Sequence, residues 1–232
     1  MKKVPFVLTI LGQLLWTSVL GLFAAQGDVP VIIKRGSNPA LPVVIYFTGD
    51  GGWNDFSQQI AENINQKGYT IFSIDSKKYF WEKKTPEEVA IMISGIFKTF
   101  PADFKEKQIV VAGYSFGASV LPFFISRLPI LEQHTIKKVF CLSPSGYADF
   151  EVKVTTMLNI SAENKNYPVI PELKKLNHNQ VYIFFGKEEN KRDITLFKNS
   201  GFNLTLFPGS HGYNKDAATV TKEIDLIIRQ VK

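Results

Sequence analysis

Gly113-Tyr114-Ser115-Phe116-Gly117 is the segment of this chain that says most about chemistry. It follows an apolar strand pattern and precedes a helical one. A serine in that setting stands at the tip of a tight turn with its hydroxyl clear of the sheet. A serine hydroxyl is a poor nucleophile at neutral pH and needs a base beside it. The chain has three histidines. His134 and His178 lie among polar neighbours and read as surface residues. His211 lies in Pro208-Gly-Ser-His-Gly212, between the last strand pattern and the closing helix pattern. Ser115 is the candidate nucleophile and His211 the candidate base.

A base of this kind needs an acid to fix its tautomer. In the chain order serine, acid, histidine, that acid follows the strand pattern Val181–Phe185. Glu189 stands three residues after Gly186 and is the first choice, with Asp193 and Glu188 as alternatives. The charge that develops on an attacked carbonyl needs two backbone N–H donors. One is expected from Phe116. The other is expected from Asp50 or Gly51 in the loop Thr48-Gly-Asp-Gly-Gly52. That loop is not a phosphate-binding loop, because no Gly-Lys-Ser/Thr follows it. Scattered histidines and a lone cysteine form no metal-ligand pattern, and neither metal nor cofactor is expected. Cys141 lies in an apolar run and reads as a buried thiol.

These residues need elements to hold them. Leu41–Phe47, Tyr69–Ile74, Gln108–Ala112, Val139–Leu142, Val181–Phe185 and Phe202–Phe207 are apolar runs of strand length, and Val31–Ile33 is a shorter one. Between them, Phe56, Ile60 and Ile64 fall on one helix face. Thr85-Pro-Glu-Glu88 is a strong helix start running to about Phe100. Ala118–Leu128 and Ala217–Val231 complete the helices. Continuous apolar strands alternating with helices predict an α/β fold, a mostly parallel sheet covered on both faces. The polar stretch from about 143 to 179 breaks the alternation and is expected to form a cap insertion over the sheet's C-terminal edge.

The 232 residues suit one domain over 28–232. Before it, Lys2 and Lys3 precede an apolar run, Val4–Ala25, that ends in Ala25-Gln26-Gly27. Residues 1–27 read as a secretory signal peptide, with a retained N-terminal anchor as the alternative. The net charge is +6, and losing residues 1–27 with their two lysines and no acid leaves +4. The basic residues are scattered in pairs, with no basic stripe, so nucleic acid is not expected. A mildly basic exported protein is drawn to anionic membrane surfaces.

Several of these segments together resemble a known family. Phe47-Thr-Gly-Asp-Gly-Gly-Trp53, Ser76-Lys-Lys-Tyr-Phe-Trp81, Thr85-Pro-Glu and Gly113-Tyr-Ser-Phe-Gly-Ala118 with Leu121-Pro122 are similar to the bacterial virulence protein family VirJ/AcvB. The likeness runs from about residue 40 to the C-terminus. It implies a periplasmic α/β-hydrolase that cleaves the aminoacyl ester of aminoacylated phosphatidylglycerol, such as the lysyl ester. It also implies a link to virulence and type IV secretion. Ser115 and His211 match the family's motif positions. A substrate cation would want a carboxylate such as Asp50 or Asp75, and Tyr79, Phe80 and Trp81 would line a lipid-facing mouth. Two other readings stand beside it. One is a non-catalytic hydrolase-like scaffold for secretion-system proteins. The other is an esterase or thioesterase for soluble small-molecule substrates.

Overall fold

The computed structural model describes residues 29–153 and 166–230. The expected leader, residues 1–27, lies outside the described residues. Nine strands are present among these: β1 (Val31–Lys34), β2 (Val43–Phe47), β3 (Ile71–Ile74), β4 (Ile109–Tyr114), β5 (Ile136–Leu142), β6 (Tyr147–Ala148), β7 (Tyr167–Pro168), β8 (Val181–Gly186) and β9 (Asn203–Phe207). β6 and β7 pair with each other, and the remainder form one sheet in the order β1-β3-β2-β4-β5-β8-β9. Every neighbour pair in that sheet is parallel except β1 with β3. Among the described residues, the helices of eight residues or more are α1 (Asp55–Gln66), α2 (Pro86–Thr99), α3 (Phe116–Ile125), α4 (Lys191–Lys198) and α5 (Ala217–Arg229).

Side chains of a strand point alternately to its two faces, and here both faces are buried. Val43, Ile45 and Phe47 face one side with Val89 and Ile93 of α2 and Ala118 and Phe124 of α3. Val44 and Tyr46 face the other with Ile60 and Ile64 of α1 and Val220 and Ile224 of α5. Each such aliphatic or aromatic side chain removed from water stabilises the fold by about 1.5–3 kcal/mol. This double burial is why the central strands read as unbroken apolar runs. Cys141 is fully buried in the first of these layers.

Helix starts are fixed by local hydrogen bonds. Thr85 Oγ1 accepts from the Glu88 N–H at 3.2 Å, and Glu88 Oε2 accepts from the Thr85 N–H at 2.7 Å, with Pro86 next. Asn54 Oδ1 accepts from the Ser57 N–H at 3.0 Å and starts α1. α3 begins two residues before the expected Ala118 and ends at Ile125. The nucleophile turn feeds straight into it, and Ser126 caps its end.

Strand order sets the location of the site. After β2 the chain builds β3 on one side, then returns to lay β4 on the other. The C-terminal ends of β2 and β4 therefore flank a point where the winding reverses, the usual place for a ligand crevice in an open α/β sheet. The described parts of the expected cap are stitched into the body. Ala148, Phe150, Val152, Val169 and Leu173 are buried in the core. The Val152 N–H donates to the Phe80 carbonyl, and the Lys84 N–H to the Phe150 carbonyl.

Candidate active site

Ser115 follows β4 directly and precedes α3. Its φ is +54° and its ψ is −115°. A non-glycine residue held there is strained by about 1–3 kcal/mol, tolerated only where its surroundings fix it. The Ser115 N–H donates to the Leu142 carbonyl at 2.8 Å, and its own carbonyl accepts from the Ser119 N–H. Gly117 shows why the motif needs a glycine after the serine. A Cβ at that position would lie 2.4 Å from the Thr48 carbonyl oxygen and 2.6 Å from that of Phe47. Only a bare α-carbon lets α3 come that close to the end of β2.

His211 sits in the loop after β9. Its Nε2 is 2.8 Å from Ser115 Oγ, and its Nδ1 is 2.9 Å from Glu189 Oε2. Three residues separated widely in sequence thus form one line of hydrogen bonds at the C-terminal edge of the sheet. The histidine side chain is 51% exposed and the glutamate 6%. The line therefore opens to solvent at one end and is anchored in protein at the other. A Cβ at Gly186 would lie 2.2 Å from the Ser210 carbonyl oxygen, so the acid loop and the histidine loop touch.

Of the three acids considered, Glu189 is the one within hydrogen-bonding distance of His211. A short turn holds it. The Glu189 N–H donates to the Gly186 carbonyl at 3.2 Å, and Glu189 Oε1 accepts from the Gly186 N–H at 2.6 Å. Glu188 is exposed. Asp193 lies in the first turn of α4, facing Gly146.

The loop Thr48–Gly52 packs on the nucleophile turn, where a Cβ on Gly49 would be 3.5 Å from Ser115 Cβ. Among the described residues, the N–H groups of Phe116, Asp50 and Gly51 have no acceptor. Phe116 and Asp50 follow directly on the two touching residues, Ser115 and Gly49. Gly51 lies further out, against the Asn54 side chain. The loop is clasped from below: the Ser76 N–H donates to Thr48 Oγ1 at 2.9 Å, and Ser76 Oγ donates to the Thr48 carbonyl at 2.7 Å.

The expected substrate-facing residues divide. Asp75 is buried and caps the short helix Ser76–Tyr79, accepting from the Lys78 N–H at 3.3 Å. Its Oδ2 faces the Lys78 ammonium at 3.8 Å, so the carboxylate expected to meet a substrate cation is engaged by its own helix. Tyr79 packs edge-on against Phe80 and points its hydroxyl at the Glu88 carbonyl. Phe80 is buried and packs on Phe116 at 5.0 Å between ring centres. Trp81, beside it in the chain, is 55% exposed. Asp50 lies close enough to Tyr114 to act on it electrostatically.

Sequence reasoning missed the residues behind the line. Ser143 Oγ is 2.7 Å from Glu189 Oε1 and 2.7 Å from Tyr213 Oη. Tyr213 Oη is also 3.1 Å from the Phe184 carbonyl oxygen. The Tyr114 hydroxyl donates to the His211 carbonyl at 3.3 Å. Burial, with the nearby Glu189 and Asp50 carboxylates, pushes the Tyr114 phenol up to about 12. Burial raises Tyr213 well above the ordinary tyrosine range. Both stay protonated as donors at any physiological pH. Only one weak signal marked Ser143: a polar residue directly after the apolar run Val139–Leu142, at a strand's C-terminal end.

The mostly parallel sheet, wrapped on both faces and carrying a serine on a strained strand-to-helix turn, defines an α/β-hydrolase fold. Solved structures of low identity share it. MenH from S. aureus superposes with a TM-score of 0.64 at 12% identity, covering 86% of this chain and 98% of that one. An esterase domain from a Rhodothermus marinus protein gives 0.60 at 9%, over 85% and 91%. The thioesterase domain from the curacin biosynthetic pathway gives 0.56 at 12%, over 84% and 94%. No curated protein matches by sequence. The profile of the family described as bacterial virulence protein (VirJ) matches residues 42–231, and the chain belongs to that family.

Proposed function

We propose that this chain is a periplasmic serine esterase that hydrolyses the aminoacyl ester of aminoacylated phosphatidylglycerol. One observation carries the reading: the unbroken line from Ser115 Oγ through His211 to Glu189, at 2.8 and 2.9 Å, set on a strained turn. Ser115 Oγ attacks the ester carbonyl while His211 Nε2 takes its proton. Glu189 holds the Nδ1–H tautomer and stabilises the imidazolium. The Phe116 and Asp50 amides receive the oxyanion. His211 returns the proton to the departing lipid hydroxyl, leaving the aminoacyl group on Ser115. Water, activated by His211 in turn, attacks that ester and frees the amino acid. With Asp75 committed to capping, Asp50 is the carboxylate left near the nucleophile to meet a substrate ammonium.

Membership of the family described as bacterial virulence protein (VirJ) supports a link to virulence, and the aminoacyl-lipid substrate and the tie to secretion rest on the motif resemblance alone. The open end of the line, with His211 half exposed, suits an ester presented from a surface. The test is incubation of the purified protein with vesicles containing lysyl-phosphatidylglycerol, measuring free lysine, alongside soluble p-nitrophenyl esters and thioesters. Release of lysine by wild type and none by Ser115→Ala is expected. Turnover of soluble esters with no lysine release would move the substrate to the soluble class. A scaffold for secretion proteins is favoured instead by the exposed apolar side chains Trp81, Ile91, Ile130 and Leu131. In that case partner capture survives Ser115→Ala and no substrate is turned over.

A further inference from the structure

Ser143 stands at the end of β5 and takes no part in the chemistry proposed above. It is buried, and its φ is +51°, so its position is strained like that of Ser115. Its N–H donates to the Phe184 carbonyl at 2.8 Å. Its hydroxyl touches two oxygens at 2.7 Å, Glu189 Oε1 and Tyr213 Oη. A carboxylate has no proton to give, so the single Ser143 hydroxyl proton goes to Glu189. The 2.7 Å contact to Tyr213 then takes the single phenol proton onto Ser143 Oγ, in preference to the Phe184 carbonyl, which is further off at 3.1 Å and already accepts from the Ser143 N–H. The result is a chain of hydroxyls, Tyr213 to Ser143 to Glu189, ending on the buried anion, each link polarising the next.

The same tyrosine lies two residues after His211 and three after Ser210, whose carbonyl accepts the Tyr213 N–H at 2.8 Å. Tyr213 is fully buried, with φ +51°. The backbone strain at Ser143 and Tyr213 is thus held where the histidine loop, the acid loop and the end of β5 meet.

We infer that Ser143, backed by Tyr213, is a positioning residue that fixes and partly neutralises the Glu189 carboxylate, and so sets the basicity of His211. This rests on the serine-esterase reading. Glu189 Oε1 then has two donors, the Gly186 N–H and the Ser143 hydroxyl, while Oε2 faces His211. Removing the Ser143 donor leaves the carboxylate more basic, which strengthens its pull on the imidazolium. Removing the anion does the reverse. The titratable groups set against the pair are Tyr114 from β4, which meets His211, and Lys187 and Glu188 beside Glu189 in the acid loop; Asp50 acts on Tyr114, and Lys191, Arg192 and Asp193 follow in the first turn of α4, toward Gly146. They are unchanged between the variants compared.

The experiment measures kcat and KM for a p-nitrophenyl ester across pH in wild type, Ser143→Ala, Ser143→Gly, Tyr213→Phe and Glu189→Gln, with fluorophosphonate labelling of wild type and Ser115→Ala. Glycine accepts φ +51° without strain, so Ser143→Gly separates the hydroxyl from the backbone. Circular dichroism confirms folding of each variant. The inference predicts a fall in kcat of about 10- to 100-fold in both Ser143 variants, because Glu189 loses one of the two donors that aim its Oε2 at His211 and this misplacement outweighs the stronger pull on the imidazolium, with KM little changed. Tyr213→Phe falls less. The acid limb of kcat/KM moves to higher pH in the Ser143 variants and to lower pH in Glu189→Gln. If wild type labels and Ser115→Ala does not, yet Ser143→Gly stays within twofold of wild type, the inference is wrong and the esterase reading stands. A rate loss with an unmoved acid limb also overturns it, leaving Ser143 a packing residue. A folded wild type that neither labels nor turns over overturns both.

Discussion

Replacing Glu189 by Gln tests the site through a detail of hydrogen-bond direction. Glu189 Oε1 accepts from the Gly186 N–H at 2.6 Å and contacts Ser143 Oγ at 2.7 Å. A backbone N–H can only donate, so a glutamine at 189 must put its carbonyl oxygen there. Its NH2 group then faces His211 Nδ1, where Oε2 stood at 2.9 Å. A donor facing Nδ1 makes that nitrogen the acceptor and moves the ring proton to Nε2. Nε2 then cannot take the proton of Ser115, 2.8 Å away. The variant should fold, because shape and the Oε1 bonds are kept, with a urea-unfolding stability within about 1 kcal/mol of wild type. Its kcat on a p-nitrophenyl ester should fall about 10⁴-fold, the loss seen when a histidine-orienting carboxylate becomes an amide. In barrier height that is about 5 kcal/mol. A variant within tenfold of wild type would refute the assignment of Glu189 and of the tautomer argument with it.

Other predictions follow from the packing. Gly117→Ala forces a methyl to within 2.4 Å of the Thr48 carbonyl oxygen; a loss of about 2 kcal/mol or more in urea unfolding is expected, with reduced labelling of Ser115. The Cys141 thiol, fully buried and pushed up to about 12 by that burial, should ignore Ellman's reagent at pH 8 until the protein is unfolded. Glu172 is buried, which alone would raise its carboxyl, but Lys175, Ser126 and Arg127 hold it below the usual carboxylate range. Its folded value is depressed, so its contribution is present above the ordinary glutamate range and is lost as pH falls through and below it. Glu172→Ala removes these bonds but leaves Arg127 paired with Glu87 at 2.6 Å; it should cost about 1–2 kcal/mol at pH 7 and less at pH 3, read by urea titration at both.

The sheet and its helices were legible because each strand is buried on both faces and each long helix has one apolar face. Ser115 and His211 were legible because a nucleophile turn and a histidine loop carry their own glycines and sit at fixed places in the chain order. Residue type alone could not choose among Glu188, Glu189 and Asp193. That choice depends on the turn in which the Gly186 N–H reaches back to the Glu189 carboxylate. Ser143 and Tyr213 were invisible for a related reason: their roles arise only where β5, the acid loop and the histidine loop converge. Asp75 shows the opposite failure. At the end of a strand an acid reads equally as a ligand for a cation or as a helix cap, and only its burial and its bond to the Lys78 N–H decide. Likewise the two-lysine edge of β5, Lys137 and Lys138, hid the strand's first turn of pairing. These residues are only half buried and so break the apolar run, which placed the strand's start at Val139 rather than Ile136.

The most direct test of the account is labelling of the purified protein with a fluorophosphonate probe, which reacts only with an activated serine. The account predicts labelling of wild type, none of Ser115→Ala, and strong attenuation in a folded His211→Ala. Labelling that persists in Ser115→Ala, or its absence from a folded wild type, would contradict it.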